Sequence, residues 1–174
     1  MSEFVALLRA VNVGGTGKLP MATLRGLCED AGFTNVTTYI QSGNVVFESR
    51  LSAPKVKATL EKALAAEMGK ACAVVVRSGA ELTDVIARNP FASAAPNRLL
   101  IVFLDEAPAK SALASVKIPG REALHLDGRE LFIHFPDGMG QSKLRVPFAA
   151  VGTGRNLNTV VKLAAMAKAL RRPA

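Results

Sequence analysis

The residues best suited to chemistry in this chain lie in glycine-rich turns that precede helices. The first turn, residues 12–18, reads Asn-Val-Gly-Gly-Thr-Gly-Lys and follows an apolar strand that ends near Arg9. Glycine N–H groups ahead of a helix favour an anion, so this turn is a candidate phosphate or carboxylate site. It is not a Walker A motif, because Asn12 and Leu19 stand where a glycine and a hydroxyl residue are needed. A flexible connector is the alternative interpretation.

A second polar group lies at the tip of a predicted hairpin. Residues 35–40 and 44–48 are rich in apolar and β-branched side chains and flank a polar turn, which is typical of paired strands. Over residues 1–77 the predicted order is β-α-β-β-α-β, which places the loop after the first strand, this tip and the turn near Gly69-Lys70 at the same end of the sheet. The candidate ligand-binding residues of this half are Arg9, Asn12, Gly14, Gly15, Lys18, Gln41, Ser42 and Asn44.

The second half repeats the pattern of glycines followed by a cation. Gly152-Thr153-Gly154-Arg155 precedes the last predicted helix, residues 156–170. Ser142-Lys143 lies in a predicted irregular loop, residues 136–154. Capping of the last helix is an alternative role for Asn156, since Asn is a favoured N-cap residue. The candidate ligand-binding residues of this half are Ser142, Lys143, Arg155 and Asn156.

The two histidines do not form a metal site in the predicted hairpin. With Asp127-Gly128 as its turn, His125 lies opposite Glu130 and about 13 Å from His134 along the strands. The sequence also contains no recognisable Ser/His/Asp or Cys/His set and no carboxylate pair that the predicted fold brings together. We therefore predict no metal site, and the sequence identifies neither a catalytic residue nor a cofactor.

Composition indicates a globular protein with an uneven positive charge. Of the 174 residues, 49% are apolar and 21% are charged, which argues against disorder. Residues 1–87 hold nine basic and eight acidic residues, whereas residues 88–174 hold thirteen and six. Such a field attracts phosphorylated ligands, nucleic acid or an acidic protein partner. A base-stacking RNA platform is disfavoured, because aromatic residues are 5% of the chain and Trp is absent.

Localisation is predicted from the absence of targeting signals. Residues 1–4 lack the basic region and apolar core of a signal peptide, and no apolar run reaches the roughly 18–20 residues of a membrane span. Cys28 and Cys72 have no CxxC spacing, which favours buried, reduced thiols. We predict a cytoplasmic protein that does not bind a membrane.

The predicted fold class is α+β, with two ferredoxin-like (split βαβ) units whose antiparallel sheets carry helices on one face. Residues 1–77 form the first unit, and residues 78–97 form a helix and linker. Residues 98–174 form the second unit, which includes the C-terminal helix. Its predicted order is β-α-β-β-α, so it is incomplete by one strand.

Ten short segments together carry a family resemblance: Leu7–Arg9, Asn12–Gly15, Pro20-Met21, Thr38–Phe47, Asn89–Phe91, Phe103-Leu104, Pro136–Gly138, Ser142–Leu144, Arg155-Asn156 and Asn158–Val160. They resemble the domain-of-unknown-function 1697 family of bacterial proteins. The resemblance runs almost end to end and implies two ferredoxin-like units, no established activity, and recurrent polar residues at every candidate position above except Lys18. Family members usually carry Trp where this chain has Leu157, which alters the site if that Trp lines it.

These observations lead to one hypothesis and two alternatives. The leading hypothesis is a protein that binds a small anionic, phosphate-bearing ligand in a cleft between its two halves. The alternatives are an enzyme of unidentified reaction that uses the same cleft, and a basic adaptor that binds nucleic acid or an acidic protein. The sequence does not predict the oligomeric state.

Overall fold

The computed structural model describes residues 1–12 and 18–171. The chain divides into two compact units, of which the first is Met1–Thr83 with Lys162–Ala174 and the second is Asp84–Val161. The first boundary thus falls after Thr83, whereas the sequence predicted a unit that ends at residue 77. The second boundary falls inside the last helix, between Val161 and Lys162. The residues from Lys162 onward therefore belong to the first unit.

The first unit has the split βαβ topology. Its elements are β1 (Ser2–Leu8), α1 (Met21–Asp30), β2 (Thr34–Tyr39), β3 (Asn44–Ser49), α2 (Ala53–Met68) and β4 (Val74–Ser78). The sheet order is β2-β3-β1-β4, and each neighbouring pair is antiparallel. The predicted β-α-β-β-α-β order is confirmed for this unit.

Helical periodicity accounts for how α2 covers this sheet. Val56, Leu60 and Leu64 recur every four residues, and all three are fully buried. They pack in one core with the β1 residues Phe4, Ala6 and Leu8. Gly69 ends α2 in the left-handed conformation, with φ +69° and its N–H on the Ala65 carbonyl, as expected of a C-terminal glycine.

The C-terminal segment completes the first unit. An ideal Cβ on Gly79 would lie 2.9 Å from Cβ of Ala167, so the last helix packs directly on that backbone. Near the end of the described chain, Arg171 Nε donates to the Glu3 carboxylate on β1. The first and last elements of the chain are therefore joined within one unit.

The second unit has a complete sheet where the sequence predicted an incomplete one. Its strands are β5 (Leu99–Phe103), β6 (Ala123–Asp127), β7 (Glu130–His134) and β8 (Thr153–Asn156), and the helices on either side are α3 (Gly79–Ala87) and α4 (Leu157–Leu170). The sheet order is β6-β7-β5-β8, which repeats the order of the first unit strand for strand. Short 3-10 helices at Lys110–Ser115 and Pro147–Val151 stand in the two crossover positions.

The prediction of an irregular loop over residues 136–154 was wrong, because it contains a 3-10 helix and the start of β8. β8 pairs antiparallel with β5 along one edge only, and its sequence Thr-Gly-Arg-Asn carries no apolar alternation. Tertiary pairing, not local pattern, makes this strand. The predicted Gly-Thr-Gly-Arg anion turn at residues 152–155 is therefore mostly strand.

The two units also repeat in register. Leu8 N donates to Gly43 O at 2.8 Å, and Leu104 N donates to Arg129 O at 2.9 Å, so each first strand ends on its hairpin tip in the same way. Arg77 on β4 lies opposite Val5 on β1, and Arg155 on β8 lies opposite Ile101 on β5. Because the equivalent pairs recur at equivalent positions, the second unit is a structural repeat of the first.

The β6–β7 hairpin has a different register from the predicted one. Asp127 pairs with Glu130, so the two turn residues are Gly128 and Arg129, and His125 lies opposite Phe132. His134 lies opposite Ala123. The two histidines therefore share a face two residue pairs apart, closer than predicted. In the described part of the chain, no group of three or more His, Cys, Asp or Glu residues is placed to hold a metal ion.

An ion network holds α3 to this hairpin. Arg88 follows α3 and donates to Asp84 Oδ2 at 2.8 Å, to Asp127 Oδ2 at 2.6 Å and to Glu130 Oε1 at 2.6 Å. Burial works against the Arg88 charge, but these hydrogen bonds outweigh it and raise its pKa. The Glu130 side chain is only 6% exposed, so Arg88 supplies a cation to a buried carboxylate.

We predict that Arg88→Met destabilises the protein by about 2–3 kcal/mol, because it leaves a buried carboxylate without its cation. The measurement is urea unfolding followed by circular dichroism. The matched control is Arg25→Met, which removes an exposed i,i+4 pair with Glu29 and should cost no more than about 0.5 kcal/mol. Equal effects of the two substitutions would show that the network is not a structural anchor.

Candidate functional site

The loop after β1 and the β2–β3 hairpin tip meet at one end of the first sheet, as predicted from topology. Asn12 Nδ2 donates to Gln41 O at 2.8 Å and to Leu19 O at 2.8 Å, while Asn12 Oδ1 accepts from Leu19 N at 2.8 Å. The Asn12 amide thus joins the loop to the tip. Gly14 and Gly15 lie outside the described residues.

A close backbone approach docks the tip onto β1. Gly43 has φ +86°, and an ideal Cβ there would lie 2.6 Å from Val11 Cγ2 and 2.8 Å from Leu8 Cβ. Only glycine combines this left-handed backbone with the absence of a side chain. Gly43 therefore sets the position of the tip relative to the end of β1.

Asn44 has a structural role rather than a solvent-facing one. It is the first residue of β3 and is fully buried, and its Nδ2 donates to Tyr39 O at 3.0 Å and to Ser42 Oγ at 2.9 Å. These bonds close the four-residue turn. Ser42 is half-buried, whereas Gln41 is exposed.

Backbone strain concentrates at this end of the sheet. Among the described residues, Ala10 (φ +54°), Asn12 (φ +54°), Asn35 (φ +52°) and Ile40 (φ +48°) are the non-glycine residues with positive φ. Three of these four belong to the loop after β1 or to the hairpin tip. A β-branched residue in this region is a marked outlier, and such strain clusters at ligand sites.

A cavity of about 170 Å³ opens beside Arg9. Arg9 N donates to Ala73 O at 3.0 Å, which ties the end of β1 to the segment before β4. Arg9 and Lys70, both exposed, are the charged residues among the described lining, which contains no carboxylate. The full described lining is Arg9, Ala10, Val11, Met68, Lys70, Ala71, Cys72 and Ala73.

Lys70 was not among the predicted site residues. The sequence carried a signal for it, because the predicted topology places the turn before β4 at the same end as Arg9. Lys18, which was predicted, is exposed and follows the loop.

A second cavity, of about 230 Å³, lies in the second unit and has mixed charge. Lys143 and Ser142 line it together with two carboxylates, Glu122 and Asp137. Ser142 Oγ donates to Glu122 Oε1 at 2.7 Å, and this bond lowers the pKa of Glu122. Arg121 donates to Asp137 and likewise lowers the pKa of that carboxyl. Both groups are anionic at neutral pH, so they oppose binding of a phosphate.

Arg155 and Asn156 do not join Ser142 and Lys143 in that cavity. Arg155 is buried in β8, where Nη1 donates to Thr153 Oγ1 at 2.7 Å and to Gly154 O at 2.9 Å. Burial lowers its pKa to about 10. Asn156 Oδ1 accepts from Thr159 N at 2.9 Å, so it caps α4, the alternative considered from the sequence.

Both cysteines are free and buried. Burial, with a smaller contribution from Glu29, raises the pKa of Cys28 to about 12. Burial, followed by Glu61, raises the pKa of Cys72, which lines the cavity beside Arg9. Neither thiol is activated as a nucleophile at neutral pH.

The architecture is that of an α+β protein with two ferredoxin-like units. A family model described as a protein of unknown function (DUF1697) matches residues 1–132, so the chain belongs to that family, as the sequence resemblance predicted. A solved structure, of a conserved bacterial protein from Streptococcus pneumoniae, is 26% identical with a TM-score of 0.80. The match covers 95% of this chain and 98% of that chain.

No curated protein matches the chain. Within residues 1–12 and 18–171, no helix combines the length and apolar character needed to cross a membrane. Leu157, at the position where the resemblance implied a Trp, is half-buried in the first turn of α4 and lines neither cavity.

We predict that Gly43→Ala destabilises the protein by about 2–4 kcal/mol, because the new Cβ meets Val11 and Leu8 and the φ is strained. The control is Gly128→Ala, which has φ +60° at the other hairpin but open space around its Cβ. It should cost only the strain, about 1 kcal/mol. Thermal unfolding of both variants measures the difference, and an equal cost would mean that the tip is not docked tightly.

Ser142→Ala should raise the pKa of Glu122 back toward its ordinary value of 4.5, because the hydrogen bond from Ser142 is the main cause of the lowering. In the wild type, the pKa of Glu122 is lower in the folded than in the unfolded protein, so the ionised carboxylate stabilises the folded state at pH values above the ordinary pKa. This stabilisation is lost as the pH falls through the folded-state pKa. NMR titration of the Glu122 side-chain carboxyl reports the pKa directly. An unchanged value in Ser142→Ala would contradict the assignment.

Proposed function

We propose that this is a cytoplasmic protein that binds a small anionic ligand at the polar end of its first unit. The observation that carries the proposal is the cavity beside Arg9, which has Arg9 and Lys70 in its lining and no carboxylate among the described lining residues. A concave surface with one sign of charge concentrates ligands of the opposite sign.

The surrounding backbone supports the same proposal. Strained residues persist only where the surrounding structure holds them, and here they flank the cavity and the tip. Asn12 and Gly43 hold the end of β1 against the hairpin tip, which limits the ordering that a ligand would have to impose there. Gln41 at the tip and Lys18 after the loop are exposed at the same end of the unit.

The second unit supports anion binding less well. Ser142 is committed to Glu122, and the cavity around Lys143 holds two anionic side chains. Arg155 is buried in a strand, and Asn156 caps a helix. The predicted cleft between the two halves stays a prediction, as do the enzyme and adaptor alternatives.

The test is titration of the protein with inorganic phosphate, followed by NMR of the backbone amides. Arg9→Gln and Lys70→Gln should each weaken binding about tenfold or more, because a hydrogen bond to a charged group contributes about 1.5–3 kcal/mol. The matched control is Lys143→Gln, which removes one exposed cation from the other cavity and should leave the affinity unchanged.

Several outcomes would count against the proposal. Loss of phosphate binding in Lys143→Gln but not in Arg9→Gln would move the site to the second unit. Absence of any saturable response would remove it. Tight, strongly salt-dependent binding of an oligonucleotide, with no response to phosphate, would favour the adaptor instead.

A further inference from the structure

The described lining of the cavity beside Arg9 combines two cations, Arg9 and Lys70, with apolar residues. Ala10, Val11, Met68, Ala71, Cys72 and Ala73 make up the remainder of its described lining. Val11 is buried, and Cys72 is only 6% exposed. A bare phosphate or carboxylate ion would satisfy the cations but would leave this apolar lining in contact with water.

The cysteine does not add charge to the cavity. Burial raises the pKa of Cys72, so its thiol is neutral at physiological pH and acts as a small apolar group. Its Sγ lies 3.9 Å from Arg9 O, which places it next to the backbone that carries the cation. The lining therefore combines cationic and apolar character within one small space.

The size of the cavity limits what it can hold. Its volume of about 170 Å³ is below the roughly 300 Å³ at which pockets for drug-sized ligands begin, so it encloses only part of a nucleotide or coenzyme. A short chain of four or five carbons with one anionic head matches both the volume and the lining.

We infer that the ligand class of this site is a small amphipathic anion, in which a phosphate or carboxylate is attached to a short apolar chain. This inference rests on the proposed function, since it assigns the head group to Arg9 and Lys70. It adds that the apolar chain occupies the space lined by Val11, Met68 and Ala71. Phosphate and carboxylate heads share this chemistry, and the experiment separates them.

The experiment compares the dissociation constants of inorganic phosphate, ethyl phosphate, butyl phosphate, pentanoate and the neutral pentan-1-ol by NMR titration. Each methylene that enters the cavity should tighten binding up to about fourfold. Butyl phosphate should therefore bind well over tenfold more tightly than inorganic phosphate. Pentanoate reports whether a carboxylate serves as the head, and pentan-1-ol should bind weakly because it lacks the charge.

Ala71→Leu tests where the chain binds. Ala71 is exposed and precedes β4, so a larger side chain there fills the cavity without entering the sheet. It should abolish the gain from ethyl to butyl phosphate, which is read as the ratio of the two dissociation constants within the same variant. The control is Gln141→Leu in the second cavity, which should leave that ratio unchanged.

A second readout avoids substitution. Butyl phosphate should slow alkylation of Cys72 at pH 9 severalfold, as measured by mass spectrometry of the peptide that contains it. Cys28, which lies in the core of the same unit, serves as the internal reference.

The outcomes separate this inference from the proposed function. If phosphate binds through Arg9 and Lys70 but chain length brings no gain, or if the gain survives Ala71→Leu, the inference fails and anion binding stands. If binding of every anion is indifferent to Arg9→Gln and Lys70→Gln, both fail. Tight binding of pentan-1-ol would also overturn the inference, because the cations would then contribute nothing.

Discussion

The contact of the β2–β3 tip with the end of β1 is the constraint that holds the polar end of the first sheet together. Gly43 comes within van der Waals distance of Leu8 and Val11 because it has no side chain, and its carbonyl takes the Leu8 N–H. With the tip held there, the Asn12 amide can reach the Gln41 carbonyl. Sheet topology alone brings the loops to one end, but this contact brings them to hydrogen-bonding distance.

Electrostatic surroundings distinguish the two cavities more clearly than their sizes do. Lys143 is a cation beside Glu122 and Asp137, and hydrogen bonds keep both carboxylates ionised. Arg9 and Lys70 share a lining in which the described residues include no acid. A phosphate would meet attraction in one cavity and partial repulsion in the other. The excess of basic residues in the second half of the chain therefore does not coincide with the cavity whose described lining holds no acid.

The parts of the fold that the sequence predicted are those with strong local patterns. The periodicity of Val56, Leu60 and Leu64 with Gly69 behind them identifies α2, and the predicted order of elements places the loop and tip together. The register of the β6–β7 hairpin and the pairing of β8 could not be predicted from the sequence, because both depend on partner strands distant in the chain. Asp127-Gly128 and Gly128-Arg129 both suit a two-residue turn, and only pairing along β7 selects the second. β8 forms because β5 offers it an edge, which no pattern in Thr153–Asn156 reveals.

The candidate site was partly predictable for the same reasons. The meeting of the loop after β1 with the hairpin tip followed from topology, whereas the cavity beside Arg9 and the roles of individual residues did not. An amide in a polar turn can face a ligand or hold the turn, and burial of Asn44 decides for the second role. Lys70 lies in the turn that the predicted topology already placed at the same end as Arg9, so it could have been predicted from the sequence as a site residue.

The joining of Glu3 to Arg171, and of Gly79 to Ala167, makes the first unit discontinuous in the chain. During synthesis its sheet and two helices leave the ribosome well before the segment that finishes it. The second unit, by contrast, is continuous from Asp84 to Val161 and can form while that segment is still being made. Assembly of the unit with the candidate site is thus completed last, although its strands are translated first.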